Sequence, residues 1–367
     1  MSVLTVCMVG CGNISSYHVD AIAASPAPRR VTITCVVDPD PSRSAALAKL
    51  IVEKLGGEAP KTFDSLEAAL AADPDGTLFA AVDVMVPSWE TEELGDLHEH
   101  VGTQVLKASR HLLLEKPITV TSVAGERLIA THQQYCPDKV FMVAENAQYW
   151  PEITATAKLL AEGAIGDVLS ARAKYWESAM GEWAVDYLPG SWRCDESKLP
   201  AASFTFDGGT HWIRPLRMWF GEVSDVVGVM GTAVPHMAGP SMSQHVFRFE
   251  SGKAAGFESM LAPTAISDQP FFQIQGSAGE IVIDGFGGGA RLYTADDSDE
   301  VTCKEICKEG WDAGYVHEYA DFVAAVLDGS PLAAGAESAL QDLRVTEAMV
   351  QSDKEMAWVG VASTGKL

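Results

Sequence analysis

Two residues in the stretch Phe204-Thr-Phe-Asp-Gly-Gly-Thr-His-Trp-Ile-Arg-Pro-Leu-Arg217 have the types and spacing for acid–base chemistry. If the chain turns helical at the glycines, Asp207 and His211 fall about one turn apart on the same side. A histidine titrates near neutral pH and can pass a proton either way. A carboxylate beside it would orient the imidazole and stabilise its charged form. The plainer reading is that Asp207 caps the helix that follows it and His211 packs in the core beside Trp212. Capping and catalysis are compatible, so the rest of the chain has to decide.

The elements that would position such a site begin at the N-terminus. Leu4 to Val9 is an apolar, partly β-branched run that leads into Gly10-Cys-Gly12-Asn13-Ile14-Ser15. A helix-like stretch from Ser16 to Ala24 follows, then a second strand-like run from Val31 to Val37 that ends in Asp38. Strand, glycine turn, helix, strand and acid is the order a dinucleotide fingerprint needs. Gly10 would allow the tight turn, and Gly12 would let the backbone approach a pyrophosphate at the helix N-terminus. Ser15 replaces the third glycine. Asp38 lies 23 residues past Ser15, close to the roughly 20 expected of an acid that reaches the ribose hydroxyls. A carboxylate there repels a 2′-phosphate and favours NAD, whereas Arg43 nearby could accept that phosphate and keeps NADP open. The plain alternative for Asp38 is an acid that starts a turn before Pro39.

The alternation continues. Phe63 to Ala72 reads as a helix with Asp64 as its N-cap, and Phe79 to Val86 reads as a strand ending at Pro87-Ser88. Leu97 to Ser109 reads as a helix, and His111 to Leu114 as a short buried strand ending in Glu115-Lys116-Pro117. Strands alternating with helices imply a parallel sheet, whose ligands gather beyond the carboxyl ends of the strands. Gly10, Asp38, Pro87 and Lys116 all fall at such ends. An ammonium at Lys116 would stabilise developing alkoxide character on a substrate hydroxyl; otherwise it is a solvated lysine. In the second half, 168–176, 245–250, 254–261, 271–276 and 280–284 are strand-like, and Gln275-Gly-Ser-Ala-Gly-Glu280 reads as a tight hairpin.

The totals bound what such a protein does. At 367 residues two domains are expected, and 47% hydrophobic with 21% charged residues describes a packed globular chain. A formal net charge of -24 speaks against nucleic acid and anionic membrane surfaces as partners. Seven scattered cysteines, with Cys7 and Cys35 in apolar runs, suit buried thiols better than bridges. Cys303 and Cys307 have no second ligand pair at matching spacing, so no metal is expected. No run reaches membrane-spanning length and no cleavable leader is evident, so a cytoplasmic location is expected.

GCGNIS, the HLLLEKP segment, GSWR and DGGTH, in this order, resemble the glucose–fructose oxidoreductase / inositol dehydrogenase (Gfo/Idh/MocA) family over nearly the whole chain. His98 and Ala144-Glu-Asn-Ala-Gln-Tyr-Trp-Pro151 add to the resemblance. It implies an α/β chain: an N-terminal Rossmann domain over 1–147, with a parallel sheet, and an α+β domain over 148–367 with an open, largely antiparallel sheet. A final helix at about 337–352 would pack back near the first domain. A sheet with one uncovered face implies a homo-oligomer, and the resemblance implies a homodimer or homotetramer through that sheet.

By the same resemblance Lys116, Asp207 and His211 form the catalytic trio, and the Lys116–Pro117 bond is cis. Gly10, Gly12, Asn13, Ile14, Asp38, Arg43, Pro87, Glu115 and Lys116 would bind NAD or NADP. Trp192 and Arg193, with Tyr149, Trp176 and Tyr187, would line the site of a sugar-like substrate, since aromatics with a few directed polar groups suit such a ring. The implied activity is hydride transfer between the nicotinamide and a hydroxyl or carbonyl carbon of a sugar, cyclitol or related polyol. Alternatives on the same fold are an NAD-dependent glycoside hydrolase, a dihydrodiol or dicarbonyl reductase, and a sensor without turnover. The chain departs from the family at Ala201-Ala-Ser203, where a glycine run is common, at Arg214, where an aspartate is common, and at Pro215. Arg214 and Arg217 would either recognise an acidic substrate group or pair with acids of the protein itself.

Overall fold

The Gly10 loop takes its place from the first strand and helix of a parallel α/β layer. In a computed structural model of the chain, residues 2–25, 30–180, 187–195, 198, 203–237, 239–264, 266, 270–285, 288–295, 301–308, 310 and 312–363 are described. Ala201 and Ala202, where the family's glycine run was sought, lie outside these.

Contacts divide the chain into two compact units, residues 1–145 with 315–340, and 146–314 with 341–367. The first contains β1 (Leu4–Val9), α1 (Asn13–Ala24), β2 (Val31–Val37), α2 (Pro41–Leu55), β3 (Lys61–Phe63), α3 (Leu66–Ala71) and β4 (Ala81–Val84). A two-stranded ribbon follows, β5 (Glu90–Thr91) with β6 (Gly95–Asp96). Then come α4 (Leu97–Lys107), β7 (His111–Glu115), α5 (Ser122–Tyr135) and β8 (Phe141–Ala144). The six-stranded sheet has the order β3-β2-β1-β4-β7-β8 and is parallel throughout. The strands β1, β4, β7 and β8 are buried almost throughout and are nearly continuous apolar runs, as a covered parallel sheet requires. The α3 helix starts one residue later than its sequence suggests: Ser65, not Asp64, is the N-cap and accepts from the Ala68 N–H.

The second unit holds α6 (Pro151–Ala161), β9 (Val168–Ser178), α7 (Ser203–Gly208), α8 (Thr210–Phe220), β10 (Val223–Gly231), β11 (Met242–Phe249) and β12 (Ala254–Ala262). It continues through β13 (Phe272–Gly276), β14 (Gly279–Ile283), β15 (Ala290–Ala295) and β16 (Val301–Cys307). The chain then runs through α9 (Asp312–Asp328) and α10 (Ala336–Glu355) to β17 (Val359–Gly360). The sheet order is β16-β15-β14-β13-β9-β12-β11-β10-β17, and every pairing is antiparallel except β9 with β12. The predicted hairpin joins β13 to β14.

Burial alternates strictly along β11, with Ser243, His245, Phe247 and Phe249 inside and Gln244, Val246 and Arg248 outside. The inner face carries α7, whose Thr205 hydroxyl lies 2.6 Å from Ser259 and 3.2 Å from Ser243. An aromatic core fills the layer between sheet and helices: Tyr175 stacks on Phe204 at 4.6 Å and on Trp212 at 4.2 Å.

Candidate active site

In the first unit the parallel strands bring the four predicted strand ends to one edge. Gly10 follows β1 with φ +93°, and a Cβ there would stand 2.7 Å from the Met85 carbonyl oxygen, so only glycine fits. At Gly12 a Cβ would meet nothing within 4 Å. Gly12 is the N-cap of α1, makes no side-chain cap, and no acid sits in the first turn, which starts at Asn13 and Ile14. That leaves a helix N-terminus suited to a dinucleotide's pyrophosphate. Ser15 is buried in place of the third glycine, and its hydroxyl donates to the Gly12 carbonyl at 2.6 Å.

Asp38 ends β2 and is buried. Its Oδ2 accepts from the Cys11 N–H at 2.8 Å and its Oδ1 from the Asp40 N–H at 2.9 Å. The carboxylate therefore both starts the turn and grips the glycine loop. Arg43 lies near the start of α2, exposed, 3.7 Å from Asp40. Pro87 lies just past β4, beside β1 in the sheet. The residues fit a dinucleotide: a glycine cradle, an uncapped helix start and an acid at the adjacent strand end.

Glu115 closes β7 and Lys116 follows it, and the Lys116–Pro117 peptide is cis. The Glu115 carboxylate is buried. Its Oε2 accepts from the Lys116 N–H at 3.0 Å, and its Oε1 lies 3.1 Å from His18 Nε2. The other ring nitrogen of His18, Nδ1, lies 2.9 Å from Asp83 Oδ2. Burial opposes the imidazolium, but the charges and hydrogen bonds of Asp83 and Glu115 outweigh it and hold the His18 pKa well above its ordinary value. Glu318 of α9 is pushed well above the carboxylate range by burial and by the Glu115 charge. His18, Asp83 and Glu318 are not among the residues expected from the sequence. The available signal was an aspartate inside the apolar run Ala80-Ala-Val-Asp-Val-Met85, since a charge in a buried strand demands a partner.

In the second unit Asp207 lies inside the short helix α7, so it does not cap α8. The α8 N-cap is Gly209, with no side-chain cap bond. Asp207 Oδ2 accepts from the Tyr187 hydroxyl at 2.9 Å and from Arg193 Nε at 2.7 Å. The Arg193 guanidinium lies over the Trp192 ring at 4.3 Å. The glycines of DGGTH have separate reasons. A Cβ at Gly208 would run into the Tyr175 hydroxyl, and one at Gly209 into the Thr205 carbonyl. His211 is half-buried, its ring 6.3 Å from that of Trp150. Burial and the Asp207 charge raise the Tyr187 pKa well above its ordinary value, so the phenol remains a donor. Glu177 is raised to about 7 by burial.

Three predicted contacts to substrate have different surroundings. Trp176 follows Tyr175 on β9, so the two point to opposite sheet faces, and Trp176 packs with Lys174, whose ammonium lies 3.4 Å from the ring centroid. Arg214 is fully buried: Nε and Nη2 donate to Asp342 at 2.8 and 2.5 Å, and Nη1 donates to Gln148. Arg217 shares Asp342 and pairs with Glu222 at 2.8 Å. These are the internal ion pairs set above against recognition of an acidic substrate. Tyr149 is buried in the 3-10 turn of residues 146–149. Pro215 lies within α8 and the helix continues through it to Phe220.

A parallel nucleotide-binding layer combined with a large mixed sheet defines a two-domain, dinucleotide-dependent oxidoreductase architecture. The chain belongs to the Gfo/Idh/MocA oxidoreductase family: residues 4–143 match its NAD-binding Rossmann fold and 157–361 its C-terminal alpha/beta domain. It is 28% identical to levoglucosan dehydrogenase of Pseudarthrobacter phenanthrenivorans over 289 residues, 77% of this chain and 66% of that protein. It is 28% identical to inositol 2-dehydrogenase of Corynebacterium glutamicum over 179 residues, 49% of this chain and 47% of that protein. The chain thus spans about half to two thirds of the length of these curated relatives. An oxidoreductase from Thermotoga maritima superposes with a TM-score of 0.80 at 25% identity, covering 98% of each chain.

Proposed function

We propose that the protein oxidises a hydroxyl, or reduces the matching carbonyl, on a neutral sugar, cyclitol or related polyol, with NAD as the hydride partner. The observation that carries this reading is the Asp207 carboxylate, held by Tyr187 and Arg193 and four residues before His211 in the chain, together with an NAD-binding domain. The names of the relatives, levoglucosan and inositol dehydrogenases, support the substrate class.

Gly10, Gly12 and the first turn of α1 would hold the pyrophosphate and Asp38 a ribose. NAD held there would supply the acceptor for a hydride from the carbinol carbon. The protein must then take the hydroxyl proton as the C–O bond becomes a carbonyl. His211 is proposed to accept it, with Asp207 stabilising the resulting imidazolium, and Lys116 to stabilise the developing alkoxide. Arg193, stacked on Trp192, orients Asp207 and offers a polar edge to the sugar. Arg214 is assigned to the fold, which removes the reason to expect an acidic substrate, and Trp176 is not assigned to this site. The outer face of the large sheet, with Gln244, Val246 and Arg248 exposed, is proposed to join copies of the chain.

The test is a panel of neutral sugars, uronates and cyclitols with NAD and NADP, read at the nicotinamide absorbance band. Lys116→Ala and His211→Ala should each lower kcat on the best substrate by about 10²–10⁴-fold. Full activity in both variants would overturn the site assignment.

A further inference from the structure

The β4–β7 ladder runs from Ala81↔His111 to Val84↔Leu114 and ends there. Both strands then reach a proline, Val86-Pro87 on one side and Lys116-Pro117 on the other. A proline has no N–H, so the backbone cannot carry the pairing further. Two buried histidines make the connection instead. His98, on the first turn of α4 and 1% exposed, places Nε2 2.8 Å from the Val86 carbonyl oxygen and Nδ1 2.8 Å from that of Pro117. His18, also 1% exposed, ties Asp83 of β4 to Glu115 of β7, and the second Glu115 oxygen takes the Lys116 N–H. Asp96, the N-cap of α4, adds a third hold just downstream by accepting from the Val120 N–H at 2.5 Å.

We propose that His18, His98 and Glu115 are positioning residues for Lys116, fixing the peptide units on both sides of it against the end of β4. The lysine's own N–H and the carbonyl of the next residue are both anchored to this strand end through side chains. What these anchors determine is the direction in which the Lys116 side chain leaves the backbone. An amine at the end of a four-carbon stem magnifies any tilt of its peptide, and an ångström of misplacement costs about 100-fold in rate. The inference rests on Lys116 acting in the reaction, as proposed above.

The experiment compares His98→Ala, Glu115→Ala, Glu115→Gln and Lys116→Ala with the unaltered full chain. The readouts are kcat, KM, and NADH affinity by fluorescence. Expected is a fall in kcat of about 10–100-fold for His98→Ala and Glu115→Ala, with the NADH Kd of His98→Ala within about threefold of the unaltered chain. Glu115→Gln should recover at least about tenfold over Glu115→Ala, because an amide oxygen can take the Lys116 N–H while its N–H₂ donates to a neutral His18 ring. The proposal is overturned if His98→Ala and Glu115→Ala both keep kcat, if NADH affinity of His98→Ala weakens in proportion to its kcat, or if Glu115→Gln recovers nothing. Should His98→Ala not fold, the Glu115 pair decides alone. Full activity in Lys116→Ala would instead defeat the underlying assignment of Lys116.

Discussion

Arg214 shows how much one residue's meaning depends on what faces it. In the sequence it is a cation three residues past a candidate catalytic histidine; in the fold it is a buried group sharing Asp342 with Arg217. Removing one member of a buried pair leaves the other charge uncompensated, at about 3–5 kcal/mol. Arg217 still neutralises Asp342, so Arg214→Ala should cost nearer about 3 kcal/mol, measured by urea unfolding. It should also change KM by the same factor for neutral and acidic sugars; a selective loss on uronates would restore the substrate reading. Asp342 stands 128 residues away from Arg214 along the chain, and nothing in the local sequence points to it. Gly10, Gly12 and Asp38 were legible because their whole argument, turn, helix start and strand end, is local.

Elements were read well where periodicity and punctuation agree, as in β1, β2, α4, β7 and the β13–β14 hairpin. The β10 strand was missed because Val223-Ser-Asp-Val-Val-Gly-Val-Met-Gly231 mixes a polar pair and a glycine into its pattern. On β9 alternation alone says that Tyr175 and Trp176 part company, but only the packing of Phe204 and Trp212 says which of them faces α7 and α8. The α1 helix carries its own consequence. His18 joins it to β4 and β7, and His18→Ala would leave Asp83 and Glu115 buried without the imidazolium between them. A loss of about 3–5 kcal/mol is expected from urea unfolding. Because the folded His18 pKa is raised, its contribution is complete below about pH 6.5 and is lost as pH climbs through the raised value. The gap between His18→Ala and the unaltered protein should therefore narrow in alkaline buffer.

Across the whole molecule, histidines of opposite sign shape the response to pH. Burial lowers His111 and His245 to about 4. Between about pH 6.5 and 4 the unfolded chain binds their protons and the folded chain does not, so stability falls as pH drops through this window. Urea midpoints should decline from pH 6.5 to 4, and His245→Gln should flatten the decline; an unchanged slope would show that His245 is not held neutral. Glu177 works the other way: its folded pKa of about 7 removes stability as pH rises from about 4.5 to 7. Among the described residues no helix is long and apolar enough to cross a membrane, and no group of three or more His, Cys, Asp or Glu could hold a metal ion.

The hold of Asp38 on the glycine loop bears on any attempt to retarget the enzyme to a phosphorylated cofactor. A carboxylate has about four lone-pair sites. Two of them already serve the Cys11 and Asp40 N–H groups, which would leave two for a pair of ribose hydroxyls, in the role proposed for Asp38, and would keep the group from swinging aside for a 2′-phosphate. Simple truncation, Asp38→Ala, would therefore strip two backbone donors of their acceptor while removing the repulsion. It should weaken NAD more than it helps NADP. Cofactor swapping would call for Asp38→Asn, which retains one acceptor oxygen, together with Arg43 left in place; the ratio of kcat/KM for the two cofactors measures whether that shorter route succeeds.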